Sequence, residues 1–133
     1  MSDLRTVAWI TLTGAWAACV AASPAVTPVP LGTWGGRGID VVVGEQSTRL
    51  EFDCAHGEIA GRLEIPKSGE ADTTGWMVLE GGPTREEAAR VEARFRLRLE
   101  GTKLLLAVVS QGSDSTHRYE AVRGKPPVLR KCG

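Results

Sequence analysis

The sequence predicts an all-β fold, an antiparallel meander of about seven short strands that closes as a small barrel or, as the alternative, stacks as a sandwich. Apolar residues recur at every second position over most of the chain beyond residue 31. Sixteen glycines and seven prolines indicate many turns. The connections are of hairpin length and leave no room for crossover helices. Because closure removes exposed strand edges, the barrel is favoured slightly over the sandwich.

Alternation places the strands in order along the chain. The first three have apolar positions at Ile39, Val41 and Val43, then at Leu50, Phe52 and Cys54, then at Ile59, Gly61, Leu63 and Ile65. A fourth strand covers residues 75–80 after a polar loop. Residues 84–89 have a composition that suits one turn of helix. Residues 102–110 are predicted to be a strand covered on both faces, and residues 117–124 the last strand.

The longest strand has the strictest alternation. Its inward positions are Val91, Ala93, Phe95, Leu97 and Leu99. Its outward positions include four arginines, Arg90, Arg94, Arg96 and Arg98. One interpretation of this row is a face for an anionic partner, such as an envelope polymer or a lipid head group. The favoured interpretation is a solvated face, because Glu92 and Glu100 interrupt the row and cross-strand pairing with Glu51, Asp53 or Glu64 would neutralise it.

The N-terminal segment has the layout of a secretory signal. Arg5 precedes an uncharged apolar stretch that ends in small residues, and the stretch is short for a membrane-spanning helix. Residues 1–22 are predicted to be a signal peptide, or a lipoprotein signal that ends before Cys19. Residues 23–30 then form a Pro-rich tether and residues 31–133 a single β domain. The chain is therefore predicted to be exported, either periplasmic or secreted, or anchored as a lipoprotein.

The three cysteines support this prediction. Cys19 leaves with the signal or carries the lipid, so Cys54 and Cys132 remain as a pair. In an oxidising compartment such a pair forms a disulfide, and this one would join the C-terminal tail to the domain.

Charge excludes some classes of partner. Sixteen basic and sixteen acidic side chains give zero formal net charge. Nucleic-acid binding needs an excess of clustered cations, so none is predicted. Membrane contact is predicted only through a lipid anchor, and the envelope polymer or protein that serves as partner is left open.

Several stretches together resemble a family of small exported bacterial proteins of uncharacterised activity. They are "GTWGG" near residue 33, "FDCAHG" near residue 54 and the terminal cysteine. The resemblance implies export and a compact β domain, and it brings no activity or cofactor. The "GTW" triplet also looks like the start of the first strand in lipocalin-type and avidin-type barrels.

Residues 53–57, "DCAHG", have two interpretations. Cys54, His56, Cys132 and His117 are suitable zinc or copper ligands, but their spacing is poor for a metal site. The favoured interpretation is a hairpin in which Ala55 and His56 form the turn, Gly57 takes a positive φ and Cys54 faces inward. No metal or other cofactor is predicted.

Residues 113–117 contain the residue types of a catalytic triad: Ser113, Asp114, Ser115 and His117. Neighbours in sequence are no evidence for a triad, whose members normally converge from separate segments. Ser, Asp and Gly are also typical of hairpin turns, so no catalytic residue is predicted.

The predicted function is non-enzymatic binding in the bacterial cell envelope. One alternative is a lipocalin-like small-molecule carrier, which the volume of Phe52, Phe95, Trp76 and the aliphatic side chains disfavours. The other is an inhibitor of a secreted hydrolase, with residues 66–75 or 81–89 as contact loops. Trp34 and Trp76 are predicted to lie in the core or to plug the barrel ends.

Overall fold

The computed structural model of the protein describes residues 13, 14, 25–80 and 90–132. This part of the chain forms ten strands and no helix, and eight of the strands close into one antiparallel barrel. The strands are β1 (Val26–Pro28), β2 (Gly32–Gly36), β3 (Ile39–Val43), β4 (Ser47–Phe52), β5 (Ala55–Ala60), β6 (Glu64–Pro66), β7 (Glu70–Leu79), β8 (Arg90–Glu100), β9 (Lys103–Ser110) and β10 (His117–Arg123). The predicted all-β class and small barrel are confirmed.

The barrel is a meander in the order β2, β3, β4, β5, β7, β8, β9, β10. Closure depends on a short pairing of the last strand with the first, in which Val122 lies opposite Gly35 and Arg123 opposite Trp34. No helix in the described ranges has the length and hydropathy that a membrane crossing needs. Apart from residues 13 and 14, the predicted signal peptide, including Cys19, lies outside those ranges, as does the helical turn predicted at 84–89.

Part of the predicted tether is paired. Within residues 23–30, β1 pairs antiparallel with β6, and Val29 is completely buried in the core. The amide of Val29 donates to the carbonyl of Leu63, 2.9 Å away. Since three prolines restrict the segment to extended conformations, it suits a short edge strand as well as a tether.

Among the described residues, buried apolar side chains occupy the interior of the barrel. Trp34 and Phe95 are the largest completely buried side chains, and Ile39, Leu50 and Leu97 pack with them in one cluster. An eight-stranded barrel has an interior just wide enough for such side chains. At one end Tyr119 lies against Phe52, with ring centres 4.8 Å apart.

Two strand boundaries differ from the prediction. The polar loop before residue 75 is largely the first half of β7, where Glu70 and Asp72 point outward and Ala71 is buried. The single strand predicted at 59–65 is broken into β5 and β6. Gly61, with φ of 87°, lies at the break, a conformation that glycine adopts at low steric cost.

The hairpin at "DCAHG" turns two residues earlier than predicted. Phe52 pairs with Ala55, so Asp53 and Cys54 form the turn, and Cys54 is exposed instead of facing inward. Gly57 lies within β5 and has no positive φ. A side chain there would come within 2.6 Å of the carbonyl oxygen of Trp76, so glycine permits the close approach of β7.

The chain after β10 runs back over the outside of the barrel, and we call residues 124–132 the C-terminal strap. The amide of Val128 donates to Gly36 (3.0 Å), and the amide of Gly38 donates to Val128 (2.8 Å). Farther on, the amide of Arg130 donates to Asp53 Oδ1 at 2.7 Å. The disulfide between Cys54 and Cys132 fixes the end of the strap, with Cα atoms 5.1 Å apart.

Candidate functional site

The arginine row lies on the outer surface of β8, as the alternation predicts. Arg94, Arg96 and Arg98 alternate with the buried side chains of Phe95 and Leu97. The three arginine side chains are 58–66% exposed. Their guanidinium groups are therefore accessible from solvent.

Carboxylates lie beside the row, but they are not the predicted ones. Arg94 Nε lies 3.5 Å from Asp72 Oδ1, and Arg96 Nε lies 3.1 Å from Glu70 Oε1, both on the neighbouring strand β7. Arg98 Nη2 lies 3.6 Å from Glu100 Oε1 on its own strand. Exposed pairs of this kind contribute little to stability, about 0–1 kcal/mol each, but they restrict where the guanidinium groups lie.

A groove of about 500 Å³ lies beside the row, and we call it the arginine groove. Its floor is the outer face of β9: Leu105, Ala107 and Val109. Arg94, Arg96 and Arg98 form one wall, and Arg118 and Thr116 form the other. The strand predicted to be covered on both faces is thus covered only on its inner face, where Leu104, Leu106 and Val108 are buried.

Arg90 is separate from the other three arginines. Its guanidinium carbon lies 4.1 Å from the ring centre of Trp76, in a cation–π contact. It does not line the arginine groove. Trp76 accordingly lies on the outer surface of β7, half-buried, and is not a core residue or an end plug as predicted, whereas Trp34 is in the core.

The residues of "DCAHG" have structural roles. Cys54 and Cys132 are joined in a disulfide, so neither thiol is free to bind a metal ion. His56 Nδ1 lies 3.5 Å from Glu80 Oε2, and His117 begins β10 opposite Val108. In the described ranges no three His, Cys, Asp or Glu residues are grouped as metal ligands.

Lys131 connects the strap to the barrel end. Its Nζ donates to Glu51 Oε2 (2.6 Å), to Glu80 Oε2 (2.7 Å) and to the carbonyl of Phe52 (2.9 Å). The hydrogen bond from Lys131 holds the pKa of Glu80 below its ordinary value, and the charge of Lys131 adds to this effect. Partial burial disfavours the charged form of Lys131, but its bonds to Glu51 and Glu80 outweigh that and raise its pKa.

Replacing this lysine should make a pH-dependent part of the stability disappear. Lys131→Met is expected to lower the free energy of unfolding by about 1 kcal/mol at neutral pH. The contribution of Glu80 exists above its unfolded pKa of 4.5 and is lost as pH falls through the lowered folded value. That of Lys131 exists below 10.5 and is lost as pH rises through the raised folded value. Urea unfolding of parent and variant over this pH range measures the difference.

The matched control is Lys125→Met, a lysine of the same strap that has no carboxylate within 4 Å among the described residues. It should leave stability unchanged at every pH. A loss for Lys131→Met that did not vary with pH would contradict the electrostatic explanation and would point to packing of the lysine stem.

Of the triad-like residues, Ser113, Asp114 and Ser115 lie in the connection between β9 and β10, and His117 begins β10. The amide of Ser113 donates to the carbonyl of Ser110 (3.0 Å), and the amide of Ser115 donates to Ser113 Oγ (3.2 Å). These are local turn contacts. His117 and Asp114 are both exposed.

Arg118 and the floor of the groove were not predicted from the sequence. The unbroken apolar run of β9 was a sequence signal for the floor. Inward residues occupy only every second position of a strand, so Leu105, Ala107 and Val109 had to lie on the outer face. Arg118 lies beside the groove floor because it pairs with Ala107 across β9 and β10.

No family model matches this chain, and neither a curated protein nor a solved structure matches it.

Proposed function

We propose that the chain is an exported, non-enzymatic domain of the bacterial cell envelope that binds an anionic envelope component in the arginine groove. The observation that carries the proposal is the charge of the groove: four arginines and one carboxylate, Glu70, line it, and Asp72 and Glu100 pair with the arginines from beside it. The arginines are exposed, and guanidinium groups bind phosphate and carboxylate groups in bidentate fashion. The surface therefore complements a negatively charged ligand although the whole chain has no net charge.

The disulfide supports the export part of the proposal. Such bonds persist in oxidising compartments, and the Cys54–Cys132 bond is compatible with one. It fastens the strap over one barrel end and lies away from the groove lining. Its role in the proposal is to stabilise the domain outside the cytoplasm.

The two alternatives have less support. A carrier needs an interior cavity, whereas the described interior is occupied by Trp34, Phe95 and aliphatic side chains. An inhibitor needs a protruding loop, and most of residues 66–75 belongs to β7. The second suggested contact loop, residues 81–89, lies outside the described ranges.

The test is binding of the disulfide-bonded protein to isolated bacterial envelopes, separated into peptidoglycan sacculi and membrane vesicles, over a series of salt concentrations. The variant combines Arg94→Gln, Arg96→Gln and Arg98→Gln. We expect the parent to co-sediment with one fraction and the variant to bind about tenfold or more weakly, because charge-assisted contacts are lost. Binding of the parent should also weaken as salt rises.

The control removes the same charge elsewhere on the surface, with Arg37→Gln, Arg49→Gln and Arg123→Gln, three exposed arginines that do not line the groove. It should bind within about twofold of the parent. Equal losses in both triple variants would contradict the assigned groove. A parent that binds no envelope fraction would contradict the proposed function itself.

A further inference from the structure

Ala107 lies in the middle of the groove floor, and an arginine lies beside it on each neighbouring strand. Arg96 on β8 and Arg118 on β10 are both register partners of Ala107. Because neighbouring strands are about 4.8 Å apart, the Cα atoms of these arginines are separated by about 10 Å. Ala107 has the smallest side chain of the floor, so it leaves more space above the sheet than Leu105 or Val109 does.

Both arginines keep hydrogen-bond donors for a ligand. Arg96 faces Glu70 through Nε, and its Nη2 lies 3.9 Å from Asp72 Oδ2, which is beyond hydrogen-bond distance. A guanidinium has five N–H groups, so most of those of Arg96 remain unused. Arg118 has no carboxylate within 4 Å in the described part of the chain. An anionic group above Ala107 would therefore receive donors from both walls.

The floor is apolar along the groove, and this narrows the ligand class. Leu105 and Val109 flank Ala107, so the floor extends over about 13 Å. The aliphatic stems of the arginines add apolar surface to the walls. A small inorganic anion or a uniformly charged polymer would leave this surface unused. A volume near 500 Å³ is within the range of small-molecule sites.

The two ends of the groove differ in charge. Leu105 has Arg98 and Glu120 as register partners, and Glu120 is paired with Lys103 at 2.8 Å. Val109 has Arg94 on one side, and the uncharged Thr116 lines the other side of the groove. An apolar chain therefore loses less by lying over Val109 than over Leu105, because fewer charges would be desolvated.

We propose that the arginine groove binds one molecule of an anionic single-chain lipid, with its head group between Arg96 and Arg118 and its acyl chain over Val109. This inference rests on the proposed function and narrows its anionic envelope component to a lipid monomer. Head-group recognition uses the two guanidinium groups, and chain recognition uses the half-buried apolar outer face of β9. The closed, packed interior of the barrel takes no part.

The test is a calorimetric titration of the full disulfide-bonded chain with dodecyl phosphate below its critical micelle concentration. Inorganic phosphate and the uncharged dodecyl maltoside are the comparison ligands. We expect one dodecyl phosphate to bind per chain, about tenfold or more tightly than either comparison ligand, because only it uses both the arginines and the apolar floor. Arg96→Gln and Arg118→Gln should each weaken binding about tenfold. Ala107→Leu should do the same by filling the space for the head group.

Arg123→Gln is the matched control, because this exposed arginine ends β10 and does not line the groove. It should bind within about twofold of the parent. Equal affinity for inorganic phosphate would overturn the lipid assignment in favour of a simple anion site, and equal affinity for dodecyl maltoside would overturn the role of the arginines. Binding to phosphatidylglycerol vesicles without binding of the monomer would mean contact with a membrane surface instead. If envelope binding stays arginine-dependent while dodecyl phosphate fails to bind, this inference is wrong and the proposed function stands.

Discussion

Removal of the Cys54–Cys132 disulfide is expected to lower the free energy of unfolding by about 4 kcal/mol. The bond joins residues 78 apart in sequence, so it strongly restricts the unfolded chain. A small domain has only about 5–15 kcal/mol of net stability, and this loss is therefore a large share. Denaturant unfolding of the parent and of the double variant Cys54→Ala, Cys132→Ala, extrapolated to water, measures it.

Reduction gives an independent control for this prediction. A reducing agent should destabilise the parent by a similar amount and leave the double variant unchanged. The barrel should stay closed in both, because β10 pairs with β2 without help from the strap, so the far-UV circular dichroism should be retained. Only the strap is expected to lose protection from amide hydrogen exchange. A loss below about 1 kcal/mol would contradict the assignment, since it would mean that the unfolded chain is not constrained by the bond.

The fold was predicted correctly where one face of a strand is exposed to water and the other face packs in the core. In β8, charged residues alternate with apolar ones over eleven residues, and only an amphipathic strand satisfies that pattern. The first half of β7 was missed because its inward residues, Ala71 and Thr73, are small or polar. Their burial depends on pairing with β8, which the local composition does not reveal.

Glycines were predictable only where they act locally. Gly101 takes a positive φ in the turn between β8 and β9, a local role that sequence patterns indicate well. Gly61 also takes a positive φ, but it was predicted to lie inside a continuous strand. Gly57 is different, because it is required by the nearness of the Trp76 carbonyl on another strand. Such a contact is set by the register between β5 and β7, which local sequence does not reveal, and the "DCAHG" turn was therefore predicted two residues too late.

The candidate site, like the fold, was predictable only where it depends on a pattern within one strand. The arginine row follows from alternation within one strand, but its acidic neighbours depend on pairing across strands. Glu70 and Asp72 belong to a segment that was predicted to be a loop, so Glu51, Asp53 or Glu64 were expected instead. Arg118 enters the groove from the far side of β9. A binding surface on a sheet thus depends on which residues of neighbouring strands lie side by side. Alternation along one strand predicts only the residues that this strand contributes.

Replacement of Trp34 by alanine should cost about 3–5 kcal/mol, because it empties the largest side-chain volume of the barrel core. Trp34 is completely buried on β2, and its Nε1 donates to the carbonyl of Pro30 at 3.2 Å. Trp34→Phe keeps most of the apolar volume and loses that hydrogen bond, so it should cost less, about 1–2 kcal/mol. Equilibrium unfolding in guanidinium chloride gives both values.

Trp76→Ala is the matched control, because it deletes the same side chain from the outer surface of β7. Trp76 is half-buried there and contacts Arg90, so its removal leaves no enclosed cavity, and a cost of about 1 kcal/mol is expected. The contrast between the two tryptophans measures how completely the barrel interior is packed. A cost of only about 1 kcal/mol for Trp34→Ala as well would contradict a filled interior and would restore the small-molecule carrier as a function, since a core that tolerates the loss of Trp34 must already contain space.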